Sequence, residues 1–153
     1  MINVMFVCHG NICRSPMAEF VLKDMVNKKN LSDKFNIVSS ATSREEIGNN
    51  IHHGTRGKLK EMGIPFTPRK AVQIKKTDYN KYDFILCMDN NNLRNISYII
   101  PNDTKNKIKL LLDFTENPRN IADPWYTGNF DETYDDILEG CEAFLDYAIN
   151  NKL

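Results

Sequence analysis

Residues 7–16 read Val7-Cys8-His9-Gly10-Asn11-Ile12-Cys13-Arg14-Ser15-Pro16, and the predicted fold extends outward from this stretch. The branched, apolar run that precedes it, Ile2 to Val7, has the length of a buried strand and is too short for a core helix. Ser15 followed by Pro16 is typical of a helix start, with the serine as the cap and the proline at the first helical position. The stretch therefore predicts a strand, a short loop and a helix.

The predicted loop has the composition of an anion-binding site. A loop at a helix amino terminus offers unpaired backbone N–H groups and the positive end of the helix dipole, which bind phosphate-like anions and favour the anionic form of a thiol. Cys8 begins the loop, and the planar fork of Arg14 at its far end can hold two oxygens of a tetrahedral anion. Gly10 and Asn11 tolerate a positive φ, which a loop that turns its N–H groups inward requires.

The rest of the chain alternates between strand and helix patterns. We predict strands at 35–39, 84–88 and 108–112, a modest helix ending at Met62-Gly63, a short helix through Leu93 and Ile96, a long loop over 113–129, and a final helix from Phe130 with apolar residues at a 3.6-residue period. This order favours right-handed crossovers and parallel pairing. We therefore expect a flavodoxin-like α/β fold, a four-stranded parallel sheet with helices on both faces, and a ligand site at the carboxyl ends of its strands.

Length and composition limit the classes of protein. A chain of 153 residues is the size of one domain, 1–153, that can bury a core without disulfides. Its 20 basic and 20 acidic residues cancel, so we expect neither nucleic acid nor membrane as a partner. We also expect the protein to be a monomer. Without a visible leader or long apolar span, we expect a cytoplasmic protein whose four cysteines are reduced. The sequence contains no Cys-x2-Cys pair of the kind that binds zinc, and we expect no metal and no cofactor.

Further sequence blocks follow the loop. They are Ser39-Ser40-Ala41-Thr42, Phe84-Ile85-Leu86-Cys87-Met88-Asp89, Leu93-Arg94, and Asp123-Pro124-Trp125-Tyr126 with Gly128. A lone Cys-x5-Arg pattern is a weak signal. In this order and spacing, however, the loop and the blocks resemble the low-molecular-weight protein tyrosine phosphatases over nearly the whole chain. The resemblance implies metal-independent hydrolysis of phosphotyrosine, and of small aryl phosphates, through a phosphocysteine intermediate.

The resemblance also implies catalytic roles. Cys8 is the nucleophile, and Arg14 with the N–H groups of residues 9–15 holds the equatorial phosphate oxygens. Asp123 is the general acid that protonates the leaving oxygen and then the base that activates water. Ser15 donates its hydroxyl to the sulfur of Cys8, or serves as a plain helix cap, or does both.

Other residues are expected to bind substrate or support the loop. The predicted substrate-binding residues are His9, Gly10, Asn11, Ile12, Cys13, Ser15, Trp125 and Tyr126, of which the last two would form aromatic walls. Asn11 would also tie the loop's own backbone into shape. Asp89 and Ser40 are predicted supports behind the loop, and simple capping is the alternative for both Asn11 and Asp89.

The chain departs from the family pattern at two places. Arg44-Glu45-Glu46 stands where many relatives carry an aromatic residue on the cleft wall, and Arg69 stands where a supporting histidine precedes the Lys-Ala segment. These differences leave the substrate preference and the support of the loop open. We interpret His52 and His53 as surface or capping residues.

Other activities share the Cys-x5-Arg loop. An arsenate reductase would use two further cysteines. Cys87 stands near one of those places, but Arg94 stands where the other would lie. Protein arginine phosphatases also resemble the chain, yet they tend to have threonine where this chain has Ile12, whose apolar side chain suits a phenyl ring better than a guanidinium. A phosphopeptide-binding module without turnover is disfavoured because Cys8, Arg14 and Asp123 are all present.

Cys13 is a second thiol in the same loop. A sulfenic acid at Cys8 is captured by any thiol within disulfide reach. The resemblance to eukaryotic members of the family implies that Cys13 is this partner and that a Cys8–Cys13 disulfide makes the protein redox-sensitive. The alternative is that Cys13 only fills space under the loop.

Overall fold

The computed structural model describes all residues, 1–153, and contains a four-stranded parallel sheet. The strands are β1 (Ile2–Cys8), β2 (Phe35–Ala41), β3 (Phe84–Cys87) and β4 (Ile108–Leu110). The helices are α1 (Arg14–Lys28), α2 (His53–Glu61), α3 (Asp78–Lys81), α4 (Asn90–Ile96), α5 (Pro124–Thr127) and α6 (Phe130–Lys152), with 3₁₀ turns at Ser32–Lys34 and Leu111–Phe114. The predicted flavodoxin-like α/β fold is confirmed.

Alternation along β1 builds a core on each face of the sheet. Val4 and Phe6 pack into the larger apolar cluster with residues of α1 and α6. Met5 and Val7 point to the opposite face and join the cluster that contains Ile96 of α4. Both faces of β1 are buried because successive side chains of a strand point in opposite directions and helices cover both sides.

The strand order β2-β1-β3-β4 determines where the site lies. The chain leaves β1 to form β2 on one side and later returns to form β3 on the other, so the connections diverge at the carboxyl end of β1. In open parallel sheets, ligands bind in the crevice at such a point. Cys8 is the last residue of β1, and Asp89 follows β3 at the same edge.

The first helix begins earlier than predicted. α1 starts at Arg14, and Cys13 occupies the cap position without a side-chain hydrogen bond. The prediction that Ser15 caps this helix is therefore wrong, since Ser15 lies inside the first turn. The helix ends where Asn30 takes a left-handed conformation with a φ of 58°.

The predicted fourth strand is shorter than its apolar run. Only 108–110 pair with β3, whereas Leu111 and Leu112 turn into a 3₁₀ segment and are completely buried. This segment packs closely on α6, because a Cβ added at Gly140 would come 2.6 Å from Cγ of Leu111. An apolar run does not reveal whether it pairs in a sheet or packs on a helix.

Two short helices were absent from the prediction. α3 is a single turn of Asp78–Lys81, too short for a periodic pattern, and α5 lies within the predicted loop 113–129. α5 starts with Asp123 as cap and Pro124 at its first position, and it ends at Gly128 with a φ of 69°. No helix of the protein combines the length and the apolar composition needed to span a membrane.

Candidate active site

The loop between β1 and α1 curls around a cavity. Asn11 takes the left-handed conformation predicted for it, with a φ of 60°, but Gly10 is not among the residues of positive φ. The prediction of a positive φ at Gly10 is therefore wrong. A Cβ at this position would come 3.2 Å from Cγ of Glu46, so the missing side chain allows residue 46 to lie against the loop.

The thiol of Cys8 lies at the bottom of the loop. Its Sγ is 3.0 Å from Oγ of Ser15 and accepts a hydrogen bond of 3.3 Å from the backbone N–H of Asn11. The amide of Asn11 donates to Oγ of Ser15 at 2.7 Å, so the serine's own proton is free for the sulfur or for the carbonyl of Ser40 at 3.3 Å. Donors placed in this way stabilise a thiolate.

The side chain of Asn11 fastens the loop to the rest of the protein. It is completely buried, donates to Oγ of Ser39 at 3.0 Å, and accepts from the backbone N–H of Val72 at 3.2 Å. Neither Asn11 nor Ser15 lines the cavity. Their predicted place among the substrate-contacting side chains is corrected, because both side chains point behind the loop and hold its shape.

Arg14 is only 2% exposed, and hydrogen bonds hold its guanidinium in place. Its Nη1 donates to Oδ2 of Asp89 at 2.6 Å and to the carbonyl of Ile121 at 2.8 Å, while its Nη2 is 3.3 Å from Oδ2 of Asp123. Burial lowers the pKa of Arg14, but the neighbouring Cys8, Asp89 and Asp123 raise it by more, so the net shift is upward. The guanidinium therefore stays charged.

Asp89 fulfils both of its predicted alternatives. One carboxylate oxygen accepts from Arg14, and the other caps α4 by accepting the backbone N–H of Asn92 at 2.8 Å. Ser40 supports the site through its backbone carbonyl, while its hydroxyl contacts Met5.

Arg69 provides the loop support that the sequence left open. Its Nη1 donates to the carbonyl of Asn11 at 3.2 Å, and its Nη2 donates to Oδ1 of Asn11 at 2.8 Å and to the carbonyl of Ser39 at 3.2 Å. Nε lies 3.7 Å from Oε1 of the buried Glu19, which also accepts from Oγ of Ser39 at 2.5 Å. The arginine thus bridges the loop, β2 and α1.

Arg69→Ala is expected to lower the free energy of unfolding by about 1–3 kcal/mol and kcat/KM by roughly tenfold, because Asn11 and the carboxylate of Glu19 lose a partner in a buried network. Urea unfolding and turnover of para-nitrophenyl phosphate measure the two effects. Arg94→Ala, which removes an exposed arginine on α4, is the matched control. Equal behaviour of the two variants would show that the loop keeps its shape without Arg69.

The cavity above the loop gathers residues from distant parts of the chain. It is lined by Cys8, His9, Gly10, Ile12, Cys13, Arg14, Glu45, Glu46, Asp123, Trp125 and Tyr126. Trp125 and Tyr126 are 57% and 82% exposed, so they stand at the mouth as the predicted aromatic walls. Asp123 accepts the backbone N–H of Trp125 at 3.0 Å, and α5 therefore carries the carboxylate and the walls as one unit.

His52, which we interpreted from the sequence as a surface or capping residue, caps α2. Its Nδ1 accepts a hydrogen bond from the backbone N–H of Gly54 at 3.0 Å. Its ring also stacks on Phe130 and meets the edge of Trp125 with centroids 5.6 Å apart. Burial, followed by the charges of His53 and Arg56, lowers the pKa of His52. The sequence contained no signal for the contact with Trp125, because the two residues are far apart in the chain.

The other thiols differ from Cys8 in their surroundings. Burial, followed by the negative charge of Cys8, raises the pKa of Cys13 to about 12. Burial likewise raises the pKa of Cys87 in β3 and of Cys141 in α6. These thiols are neutral at physiological pH, which leaves Cys8 as the candidate nucleophile of the cavity.

A thiol at a strand end, an arginine at the following helix start and an Asp-Pro carboxylate meet in one cavity on a flavodoxin-like fold. This combination defines the class of cysteine-dependent phosphatases.

Comparison with known proteins identifies the family. The profile of the family described as "Low molecular weight phosphotyrosine protein phosphatase" matches residues 3–153. The low molecular weight protein-tyrosine-phosphatase YfkJ of Bacillus subtilis is 40% identical over 147 residues, 95% of this chain and 94% of that protein, and PtpA of Staphylococcus aureus is 36% identical over 152 residues, 99% and 96%. The crystal structure of YfkJ superposes with a TM-score of 0.96 at 39% identity over 100% of this chain and 98% of that one.

A structure of DARP, described as drosophila arginine phosphatase, gives a TM-score of 0.86 at 32% identity over 97% of this chain and 99% of that one. The chain belongs to the low molecular weight phosphotyrosine protein phosphatase family, and the resemblance seen in the sequence is confirmed.

Proposed function

We propose that the protein hydrolyses phosphotyrosine in proteins, and small aryl phosphates, through a phosphocysteine intermediate without a metal ion. The observation that carries this proposal is the convergence of Cys8, Arg14 and Asp123 on one cavity, with Nη2 of Arg14 3.3 Å from Oδ2 of Asp123. The thiol supplies the nucleophile, the guanidinium neutralises the phosphate, and the carboxyl group supplies a proton.

In the first step, the thiolate of Cys8 attacks phosphorus in line with the leaving oxygen. A sulfur–phosphorus bond forms while the bond to the phenolate breaks, and Asp123 gives its proton to the departing oxygen. Arg14 and the N–H groups of the loop hold the equatorial oxygens throughout.

In the second step, the carboxylate of Asp123 takes a proton from water, whose oxygen attacks the phosphocysteine. The sulfur–phosphorus bond breaks, and inorganic phosphate is released. The hydroxyl of Ser15 and the N–H of Asn11, at 3.0 and 3.3 Å from Sγ, stabilise the departing thiolate.

The surroundings of the site support an aryl substrate. Trp125 and Tyr126 offer exposed aromatic surface for the tyrosine ring, and Ile12 adds apolar surface. We further propose that residues 1–153 act as one domain, as a monomer and without a cofactor, on phosphotyrosine-containing proteins in the cytoplasm.

A direct test measures phosphate release from a phosphotyrosine peptide and from para-nitrophenyl phosphate in the presence of a chelator. Acid quenching during turnover, followed by mass spectrometry, is expected to find a phosphoryl adduct on the peptide that contains Cys8. Release that persists after alkylation of Cys8 would overturn the proposal, and so would the absence of release.

Ile12→Thr is expected to shift the ratio of kcat/KM for phosphoarginine over phosphotyrosine upward by roughly tenfold, because a hydroxyl replaces apolar contact beside the leaving group. Ile12 lines the cavity and packs against Ala71 and Phe130. Ile12→Val keeps an apolar branched side chain and serves as the control. A ratio that does not move would show that Trp125 and Tyr126 set the preference.

Peroxide is expected to inactivate the protein by oxidising Cys8 to a sulfenic acid, and bound phosphate is expected to protect it. We propose that the thiol of Cys13 then displaces the hydroxyl of the sulfenic acid as water and forms a Cys8–Cys13 disulfide. Because burial raises the pKa of Cys13, its thiolate is the minor form near neutrality, and its fraction and hence the rate of this step should increase with pH.

The recovery of activity tests this disulfide. Reducing thiols are expected to restore the parent fully but Cys13→Ser poorly, because its Cys8 proceeds to irreversible oxidation. Equal recovery of both proteins, or a peptide map that joins Cys8 to Cys87, would refute the Cys8–Cys13 link.

A further inference from the structure

One wall of the cavity carries the charge opposite to that expected at a phosphate site. Glu45 and Glu46 both line the cavity. The side chain of Glu46 lies directly against the phosphate-binding loop, since its Cγ is 3.2 Å from the position of a Cβ at Gly10. The side chain of Glu45 is 70% exposed and contacts the ring of His9, which lines the same cavity.

Neither of these carboxylates is paired with a lysine or arginine. Glu45 contacts the ring of His9 at 2.8 Å, and Glu46 accepts from the amide of Asn49 at 2.5 Å, but neither has a lysine or arginine nitrogen within 4.0 Å. The only Lys or Arg that lines the cavity is Arg14, which is already paired with two aspartates. The mouth of the cavity therefore carries two carboxylates that have no lysine or arginine partner.

Aromatic surface accompanies this negative charge. Trp125 and Tyr126 line the same mouth and are 57% and 82% exposed. An aromatic face attracts the cationic head of lysine or arginine, and it also packs against the methylene groups of either side chain. Carboxylates beside exposed aromatic rings form an environment that favours a cation.

We infer that the protein selects phosphotyrosine flanked by lysine or arginine, an inference that rests on the proposed function. The phosphoryl group goes to the loop and Arg14, while a basic side chain next to the phosphotyrosine meets Glu45 and Glu46. An acidic neighbour is repelled at the same place, so the wall acts by rejection as well as by attraction. Because these carboxylates are partly exposed to solvent, replacing a basic neighbour of the phosphotyrosine by an acidic one is expected to change kcat/KM by about 5- to 20-fold.

The test compares kcat/KM for three phosphotyrosine peptides that are flanked on both sides by lysine, glutamine or glutamate. The proteins are the parent, the double variant Glu45→Gln/Glu46→Gln, and Glu142→Gln, a control that removes an exposed carboxylate from α6. The ratio of kcat/KM for the lysine-flanked peptide to kcat/KM for the glutamate-flanked peptide is expected to be about 10 or more in the parent and the control. In the double variant it is expected to be about 2. High salt should also reduce the parent's ratio.

Each outcome decides the inference. Equal ratios in the parent and the double variant, or a preference for the glutamate peptide, would overturn it. Turnover of all three peptides at the same rate would overturn the inference but leave the proposed function in place, whereas no turnover of any peptide by the parent would overturn both. If the double variant does not fold, the single variant at the exposed Glu45 gives the same comparison with a smaller change.

Discussion

Cys8→Ser is expected to abolish turnover, with kcat falling by at least about 10⁴-fold, because an alcohol does not ionise where a thiol does and the phosphoenzyme cannot form. The substitution is small, and Cys8 is 3% exposed, so the loop should keep its shape. Single-turnover assays with a phosphotyrosine peptide measure the loss.

Phosphate binding separates this loss from misfolding. The anion is held by Arg14 and the loop N–H groups, which the substitution does not touch, so Cys8→Ser should bind inorganic phosphate and unfold at the same urea concentration as the parent. If Cys8→Ser retained turnover, another residue would have to be the nucleophile. The neutral thiol of Cys13 would be the first to examine, since it lines the same cavity.

Asp123→Ala is expected to lower kcat by about 10²- to 10⁴-fold for aryl phosphates with poor leaving groups, and by less for good ones, because a good leaving group departs without a proton. A series of substituted phenyl phosphates measures this dependence on the leaving group's pKa. If kcat falls equally for every leaving group, Asp123 is not the acid.

The structure shows why alanine alone is an incomplete test. Asp123 also caps α5 by accepting the N–H of Trp125 at 3.0 Å, and it contacts Arg14 at 3.3 Å. Alanine therefore removes the helix cap and the contact with Arg14 as well as the proton donor. Asp123→Asn keeps an oxygen for the cap but cannot protonate the leaving group. If kcat falls equally in Asp123→Ala and Asp123→Asn, the loss is due to proton transfer. If kcat falls only in Asp123→Ala, the loss is due to the helix cap and its support of the aromatic wall.

The sequence by itself determined the features that depend on neighbouring residues. An apolar strand pattern up to Val7, followed by a loop and a helix pattern, specifies where a phosphate can meet backbone N–H groups. The short helix Pro124–Thr127 was not predicted, although the resemblance to the family had singled out the block Asp123-Pro124-Trp125 with which it begins. Local steric and capping preferences decide such features.

Only the tertiary structure decided how the loop is supported and how its mouth is charged. Arg69 lies 58 residues from Asn11 in the chain, and nothing in the local pattern shows that its guanidinium reaches that amide. Gly10 resembles a turn glycine in sequence, but in the structure it has no positive φ and lies against the side chain of Glu46. These contacts join segments brought together by the order of the strands. Hydrogen bonding and steric fit between distant segments depend on distances of tenths of an ångström, which no residue pattern along one segment records.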